Sequence, residues 1–137
     1  MGKNRTLTSV LAVSALTLTL MSCSAEKPSP DDAAAALAEG LSKADLSASS
    51  FTAGTPAQIN TELQTLLEGM GTVRPAVTVA GIEEDPENDD AAAVRLAYAW
   101  DVNMDSAPDW TYESTARLSR GENDTWQVQW APSVLFD

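Results

Sequence analysis

The stretch TWQVQWAPSVLFD, at residues 125–137, decides the fold. Its residues Trp126, Val128 and Trp130 alternate with glutamines, and this period of two predicts a strand with one apolar and one solvent-facing side. A buried aromatic side chain covers about 150–250 Å², so each buried tryptophan contributes at most roughly 4–6 kcal/mol before entropy is subtracted. Pro132 ends the strand because proline has no N–H to donate. We therefore expect a core strand that closes the domain.

Three further strands are predicted upstream by the same alternation, at residues 73–82, 91–102 and 110–120. Pro75 indicates that the first of them is an edge strand or begins irregularly. The run EEDPENDD, at residues 83–90, is expected to form a solvated acidic turn between the first two strands. The alternative for this run, a Ca²⁺ loop, is disfavoured because the ligand spacing of such loops is absent.

Two helices are predicted before the strands. The Ala-rich residues 31–46 form the first, with Ser29 or Asp31 near its N-cap and Gly40 allowing another backbone to come close, and residues 56–70 form the second, which begins at Pro56. Phe51, between the helices, is expected to pack under the sheet. This order predicts an α+β fold, in which two or three N-terminal helices pack on a curved four-stranded antiparallel sheet.

A family resemblance rests on the run Trp-x-Val-x-Trp-x-Pro-Ser at residues 126–133, followed by apolar residues. The run resembles the end of the nuclear transport factor 2-like N-terminal domain of some Gram-positive class B penicillin-binding proteins, the methicillin-resistance type among them. The upstream order agrees over nearly the whole chain. The resemblance implies the cone-shaped fold over residues 31–137, and a spacer or docking module for a peptidoglycan transpeptidase that is linked to β-lactam response. In that family the chain usually continues into a linker and a transpeptidase domain, but here Phe136-Asp137 stand at that point. We therefore expect either a truncated N-terminal piece of such a protein or a free-standing lipoprotein form.

Residues 1–22 are predicted to be a lipoprotein signal peptide. Lys3 and Arg5 precede an apolar stretch, and Leu20-Met21-Ser22-Cys23 matches the lipobox pattern. Cys23 is the only cysteine, which favours its lipidation over a chance cysteine in an ordinary secretory signal. Residues 23–30 would then be a tether. The protein is expected on the outer face of the cell membrane, held there by its lipid.

Charge and composition exclude several functions. The full chain has a net charge of −12 with no histidine, and removal of Lys3 and Arg5 leaves six basic against twenty acidic residues, or −14. Nucleic acid is therefore not expected as a partner, and we predict no cofactor and no metal site. The motif Ser24-x-x-Lys27 matches a transpeptidase nucleophile motif, but its companions S-x-N and K-[ST]-G do not occur in the chain. Since Asp101 and Glu113 fall on the outer side of their strands, no enzymatic activity is expected.

The candidate site consists of aromatic residues that lie on the apolar side of their predicted strands. They either fill the core or line a cavity at the mouth of the cone, and in the second case the protein is a small-ligand-binding lipoprotein. On the outer face, Arg95, Glu113 and Arg117 form ion pairs or a docking surface. Expected partners are the membrane, through the lipid, and a transpeptidase domain or other cell-wall synthesis proteins. The possible cavity-lining residues are Tyr98, Trp100, Trp110, Tyr112, Trp126 and Trp130.

Overall fold

The computed structural model describes residues 29–136. The predicted signal peptide, Cys23 and the Ser24-x-x-Lys27 motif lie outside this range, as do all but the last two residues of the tether. In chain order the elements are helix α1 (Asp31–Lys43), helix α2 (Pro56–Leu67), a 3-10 turn (Glu68–Met70), strands β1 (Ala76–Asp85), β2 (Asn88–Trp100) and β3 (Trp110–Arg120), a 3-10 turn (Glu122–Asp124), strand β4 (Trp126–Gln129) and helix α3 (Ser133–Phe136).

The four strands form one antiparallel sheet in the order β1-β2-β3-β4. Trp100 lies opposite Trp110 at one end of the β2–β3 pair, and Arg120 lies opposite Trp126 at the other end of β3. A register shift at Gly81 marks a bulge in β1, which bends a strand locally. The predicted α+β class, with helices packed on a four-stranded antiparallel sheet, is confirmed.

Helix α1 lies on β1 and is shorter than predicted. It ends at Lys43 because Ala44 adopts a left-handed conformation, with φ 59°. The N-cap position is Pro30, between the two residues that were expected near it, and the Ser29 hydroxyl accepts a hydrogen bond from the Asp31 amide at 2.9 Å.

The close approach expected at Gly40 is confirmed. A Cβ atom there would lie 2.7 Å from the Asp45 carbonyl oxygen and 2.8 Å from a methyl carbon of Leu46. The chain that follows α1 therefore folds back directly over the helix, and Leu46 is fully buried.

Helix α2 begins with a capping box between Thr55 and Gln58, and it buries Ile59, Leu63 and Leu67. Before it, Phe51 is 6% exposed, so its predicted packing against the core is confirmed. The backbone around Phe51 also pairs with β4: the Val128 amide donates to the Ser50 carbonyl at 2.8 Å, and the Thr52 amide donates to the Val128 carbonyl at 2.9 Å. This loop therefore covers the outer edge of β4.

The predicted acidic turn at residues 83–90 is mostly strand. Strand β1 runs to Asp85 and β2 starts at Asn88, so only Pro86 and Glu87 connect them. The side chains of residues 83–90 are all exposed, so the charged ones stay in water while the backbones of β1 and β2 pair. At the opposite end of β2 the prediction extended too far, since Val102 lies in the following loop and is 44% exposed. Strand β1 begins directly after Pro75, as expected from that proline.

The core lies between the helices and one face of the sheet, and Trp100 and Tyr98 are its largest fully buried side chains. The alternation of buried and exposed residues along β2 and β3 agrees with the predicted parity. Within residues 29–136, no helix has the length and apolar character needed to cross a membrane.

Candidate functional site

Four of the six candidate aromatic residues form one ladder across β2 and β3. Tyr98 and Tyr112 are opposite each other in the sheet, and their rings stack at 4.8 Å with an interplanar angle of 5°. Trp110 stacks on Trp100 at 5.9 Å and lies 5.2 Å from Tyr112. The Trp100 indole N–H also donates to the Tyr112 hydroxyl at 3.2 Å. Cross-strand aromatic pairs of this kind stabilise a sheet beyond the area that they bury.

The ladder holds helix α3 against the sheet. The Tyr98 and Ser114 hydroxyls both donate to the Val134 carbonyl at 2.5 Å, and the Tyr112 hydroxyl donates to the Leu135 carbonyl at 2.6 Å. Val134 and Leu135 are 2% and 0% exposed. Burial raises the pKa of the Tyr98 hydroxyl well above its usual value, so this donor keeps its proton to a higher pH than an exposed tyrosine does.

The structure does not place the six aromatic residues around one cavity. The hydroxyls of Tyr98 and Tyr112 donate to α3 instead of pointing into free space, because α3 occupies the interior beside them. Both tyrosines also border a shallow depression of about 410 Å³ with outer-face residues of the sheet. Trp126 lies away from the ladder beside Arg120, and Trp130 is half-buried against the core.

Four large apolar side chains are exposed, all near the end of the sheet that carries the loop 101–109; we call this end the distal end and these four residues the distal rim. Their exposed fractions are 44% for Val102, 68% for Met104, 49% for Trp110 and 47% for Phe136, and they are the exposed large apolar side chains of residues 29–136. Phe136 reaches this end because Leu135 is bound to Tyr112, the neighbour of Trp110 in the ladder.

The loop beside the distal rim is acidic and closed by its own hydrogen bonds. Carboxylate oxygens of Asp101, Asp105 and Asp109 lie within 4.8 Å of one another. Asp109 accepts bonds from the amides of Val102 and Asn103, and Asp101 accepts bonds from the amides of Asp105 and Ser106. Partial desolvation opposes the charge on Asp101, but these amides outweigh it and lower its pKa. The hydrogen bonds that Asp101 and Asp109 accept therefore brace the loop.

This acidic loop was not predicted. Its signal in the sequence is the spacing Asp-x-Asn-x-Asp at residues 101–105, with Asp109 four residues later. The strand prediction, which ran to Val102, hid that spacing. Ser106 has a φ of 73° although the sequence has no glycine there, so the tight turn was also unmarked.

The opposite end of the sheet, which carries the β3–β4 turn (residues 121–125), is the proximal end. Here the Arg120 guanidinium donates from Nε to Asp90 at 2.9 Å and lies 5.7 Å from the centre of the Trp126 ring. The start of α1 lies beside the same turn, because Ser29, Asp32 and Asp124 line one recess of about 290 Å³. The described part of the chain therefore starts at the proximal end.

The described chain thus starts and finishes at opposite ends of the sheet. Residue 29 lies beside the turn that follows Arg120, whereas Leu135, the neighbour of Phe136, is bonded to Tyr112 near the start of β3 at the other end. Strand β3 has 11 residues, which at about 3.3 Å per residue separates the two ends by roughly 33 Å.

The strand carboxylate Glu113 lies on the outer face, as its parity predicted. It pairs with Arg95 at 3.7 Å, and both side chains are about half exposed. Asp101 is half-buried in the distal loop. The buried polar residues within residues 29–136 are Ser49 and Ser114. Together with Tyr98 they give the interior hydroxyl groups, whereas the carboxylates of residues 29–136 are exposed or, at Asp101, half-buried.

A comparison with protein families matches residues 29–137 to the family described as the NTF2-like N-terminal transpeptidase domain. No match was found among curated proteins or among solved structures. The match covers the helices and the complete sheet, and the domain it describes is the N-terminal part of a transpeptidase rather than the catalytic domain. The α+β architecture and the family match agree, and the chain belongs to the family of NTF2-like N-terminal transpeptidase domains.

Proposed function

We propose that this chain is a non-catalytic, lipid-anchored spacer, which holds a peptidoglycan transpeptidase or its partner away from the outer face of the cell membrane. The observation that carries the proposal is the path of the chain, which starts at the proximal end and finishes at the distal end. A domain with both termini at one end would add little height. With its two described ends near opposite ends of a strand roughly 33 Å long, this domain adds much of its own length.

The stiffness of the domain supports the same role. Helix α3, which finishes the described chain, is attached to β2 and β3 by three side-chain hydrogen bonds and two buried side chains. A group attached beyond Phe136 would therefore be positioned by the sheet rather than by a loose tail. Cys23 is the proposed lipid attachment site, six residues before Ser29 in the sequence.

The anchor is tested by metabolic labelling with an alkyne fatty acid, followed by membrane fractionation. We expect the natural chain and a Ser24→Ala control to be labelled and membrane-bound, and Cys23→Ala to be unlabelled and released. A Cys23→Ala variant that remains labelled would overturn the anchor.

The spacer role is tested by photocrosslinking in living cells. A crosslinking amino acid is placed at the exposed positions Asp105, at the distal end, or Glu122, at the proximal end. We expect a crosslinked product that also binds a fluorescent β-lactam from Asp105 but not from Glu122. Equal products from both positions, or none from Asp105, would contradict the proposed polarity.

A further inference from the structure

We propose that the distal rim is a docking surface for a basic protein segment that carries apolar side chains. This inference goes beyond the spacer role, because it concerns what the surface binds rather than where the domain holds it. It rests on three properties of the distal end: exposed apolar side chains, a braced acidic loop and a stacked tryptophan.

The first property is the clustering of the exposed apolar side chains. Large apolar side chains elsewhere in residues 29–136 are buried or half-buried, whereas the four of the distal rim are 44–68% exposed. Two of them, Trp110 and Phe136, are far apart in sequence and are brought to the same end by α3. Clustered exposure of this kind marks interaction sites, and tryptophan, phenylalanine and methionine are enriched in protein interfaces.

The second property is the fixed geometry of the surface. The Trp110 ring stacks on Trp100, which is fully buried, so one face of the exposed ring is already held. The adjoining loop is held by hydrogen bonds from its backbone N–H groups to the carboxylates of Asp101 and Asp109. Binding therefore requires little ordering of this surface, which favours affinity.

The third property is the charge, which selects the partner. Residues 101–110 contain three aspartates and no lysine or arginine. A basic segment gains from this field, and an arginine or lysine side chain can also lie against the exposed part of the Trp110 ring. A second copy of the chain is disfavoured as occupant, because it would bring the same acidic loop and a net charge of −12.

A protein segment fits this surface better than a glycan strand. Sugar recognition needs directed polar groups beside the aromatic ring, whereas the Asp109 carboxylate is turned toward its own loop, where it accepts bonds from Val102 and Asn103. The nearby Met104 and Phe136 are apolar. The unbranched methionine side chain can adapt to the shape of apolar protein side chains. The loop therefore supplies charge at a distance rather than directed bonds to hydroxyl groups.

The test measures binding of short fluorescent peptides to the full-length chain in nanodiscs of phosphatidylcholine, with empty nanodiscs as the blank. We expect a peptide of arginine and leucine to bind at least about tenfold more tightly than peptides of glutamate and leucine or of arginine and serine. Trp110→Ala should weaken the binding about tenfold or more, and Trp110→Phe much less.

Charge is tested with a matched pair of variants that change the net charge equally. Asp105→Asn at the distal end should weaken binding about two- to threefold and reduce its salt dependence. Glu84→Gln, at an exposed position of β1 opposite Ala92, should leave both the binding and its salt dependence unchanged. This pair keeps the test decisive if Trp110→Ala fails to fold.

Three outcomes would overturn the proposal. One is peptide binding that Trp110→Ala and Asp105→Asn both leave unchanged. Another is Trp110-dependent binding of a chitin oligosaccharide without binding of the basic peptide. The last is Trp110-dependent dimerisation by sedimentation. None of these results would alter the lipid-labelling or crosslinking tests of the spacer role.

Discussion

Removing the two hydroxyls that share the Val134 carbonyl should cost more together than the sum of the single changes. In Tyr98→Phe or Ser114→Ala, the carbonyl keeps one donor, and each lost bond should lower the free energy of unfolding by about 0.5–1.5 kcal/mol. In the double variant the buried carbonyl has lost both hydroxyl donors, which adds a desolvation penalty of about 1–3 kcal/mol. The expected excess over additivity is therefore at least about 1 kcal/mol.

The assay is urea unfolding of the purified protein followed by tryptophan fluorescence. Since a small domain loses about 1–3 kcal/mol per molar urea, the expected excess shifts the midpoint by several tenths of a molar or more. Thr115→Val is the matched control, because it removes an exposed hydroxyl from the same strand and should change stability by less than about 0.5 kcal/mol. Additivity within about 0.5 kcal/mol would refute the idea that the two hydroxyls serve one acceptor.

Three further predictions concern stability. Gly40→Ala should destabilise the domain by about 1–3 kcal/mol, since its Cβ would lie 2.7 Å from a backbone oxygen. Gly69→Ala is the control for the same urea assay, and it should be neutral or stabilising because nothing lies within 4 Å of its Cβ. Equal effects of the two substitutions would contradict this prediction. Arg120→Ala should cost about 1.5–3 kcal/mol by thermal unfolding, because its side chain is 7% exposed and bonds a carboxylate, whereas Arg95→Ala, from an exposed pair, should cost under about 1 kcal/mol; the reverse order would be inconsistent with the burial. Because the folded-state pKa of Tyr98 is raised above the ordinary 10.0, its contribution is complete below about pH 10 and is lost as the pH rises further; Tyr98→Phe should flatten the alkaline fall of the unfolding free energy, and an unchanged fall would argue against it.

The strands were predictable because their side chains alternate against one core. In β2 the buried positions repeat every second residue, which is the period of a strand with one face on the core. These positions are Val94, Leu96, Tyr98 and Trp100. The acidic hairpin was not predictable from that rule. Its side chains are exposed, so apolar periodicity carries no information there, and backbone pairing alone extends the strands.

The candidate site was only partly predictable for a related reason. Parity correctly placed Tyr98 and Tyr112 on the helix-facing side, but it could not show that α3 would fill the space beside them. Helix α3 has four residues, too few for helical periodicity to appear in the sequence. Trp110 shares the inward parity and is still half exposed, because it stands at the end of its strand where the core no longer covers it.

The placement of the two chain ends also determines how the domain bears mechanical load. Tension applied between residue 29 and Phe136 acts along β3, because these residues lie at its opposite ends. Strand β4 and α3 are then pulled along the direction of β3. The hydrogen bonds that the Val134 and Leu135 carbonyls accept from the sheet therefore share the force with the β3–β4 ladder, instead of opening one after another. A domain loaded in this direction transmits a pull without unzipping.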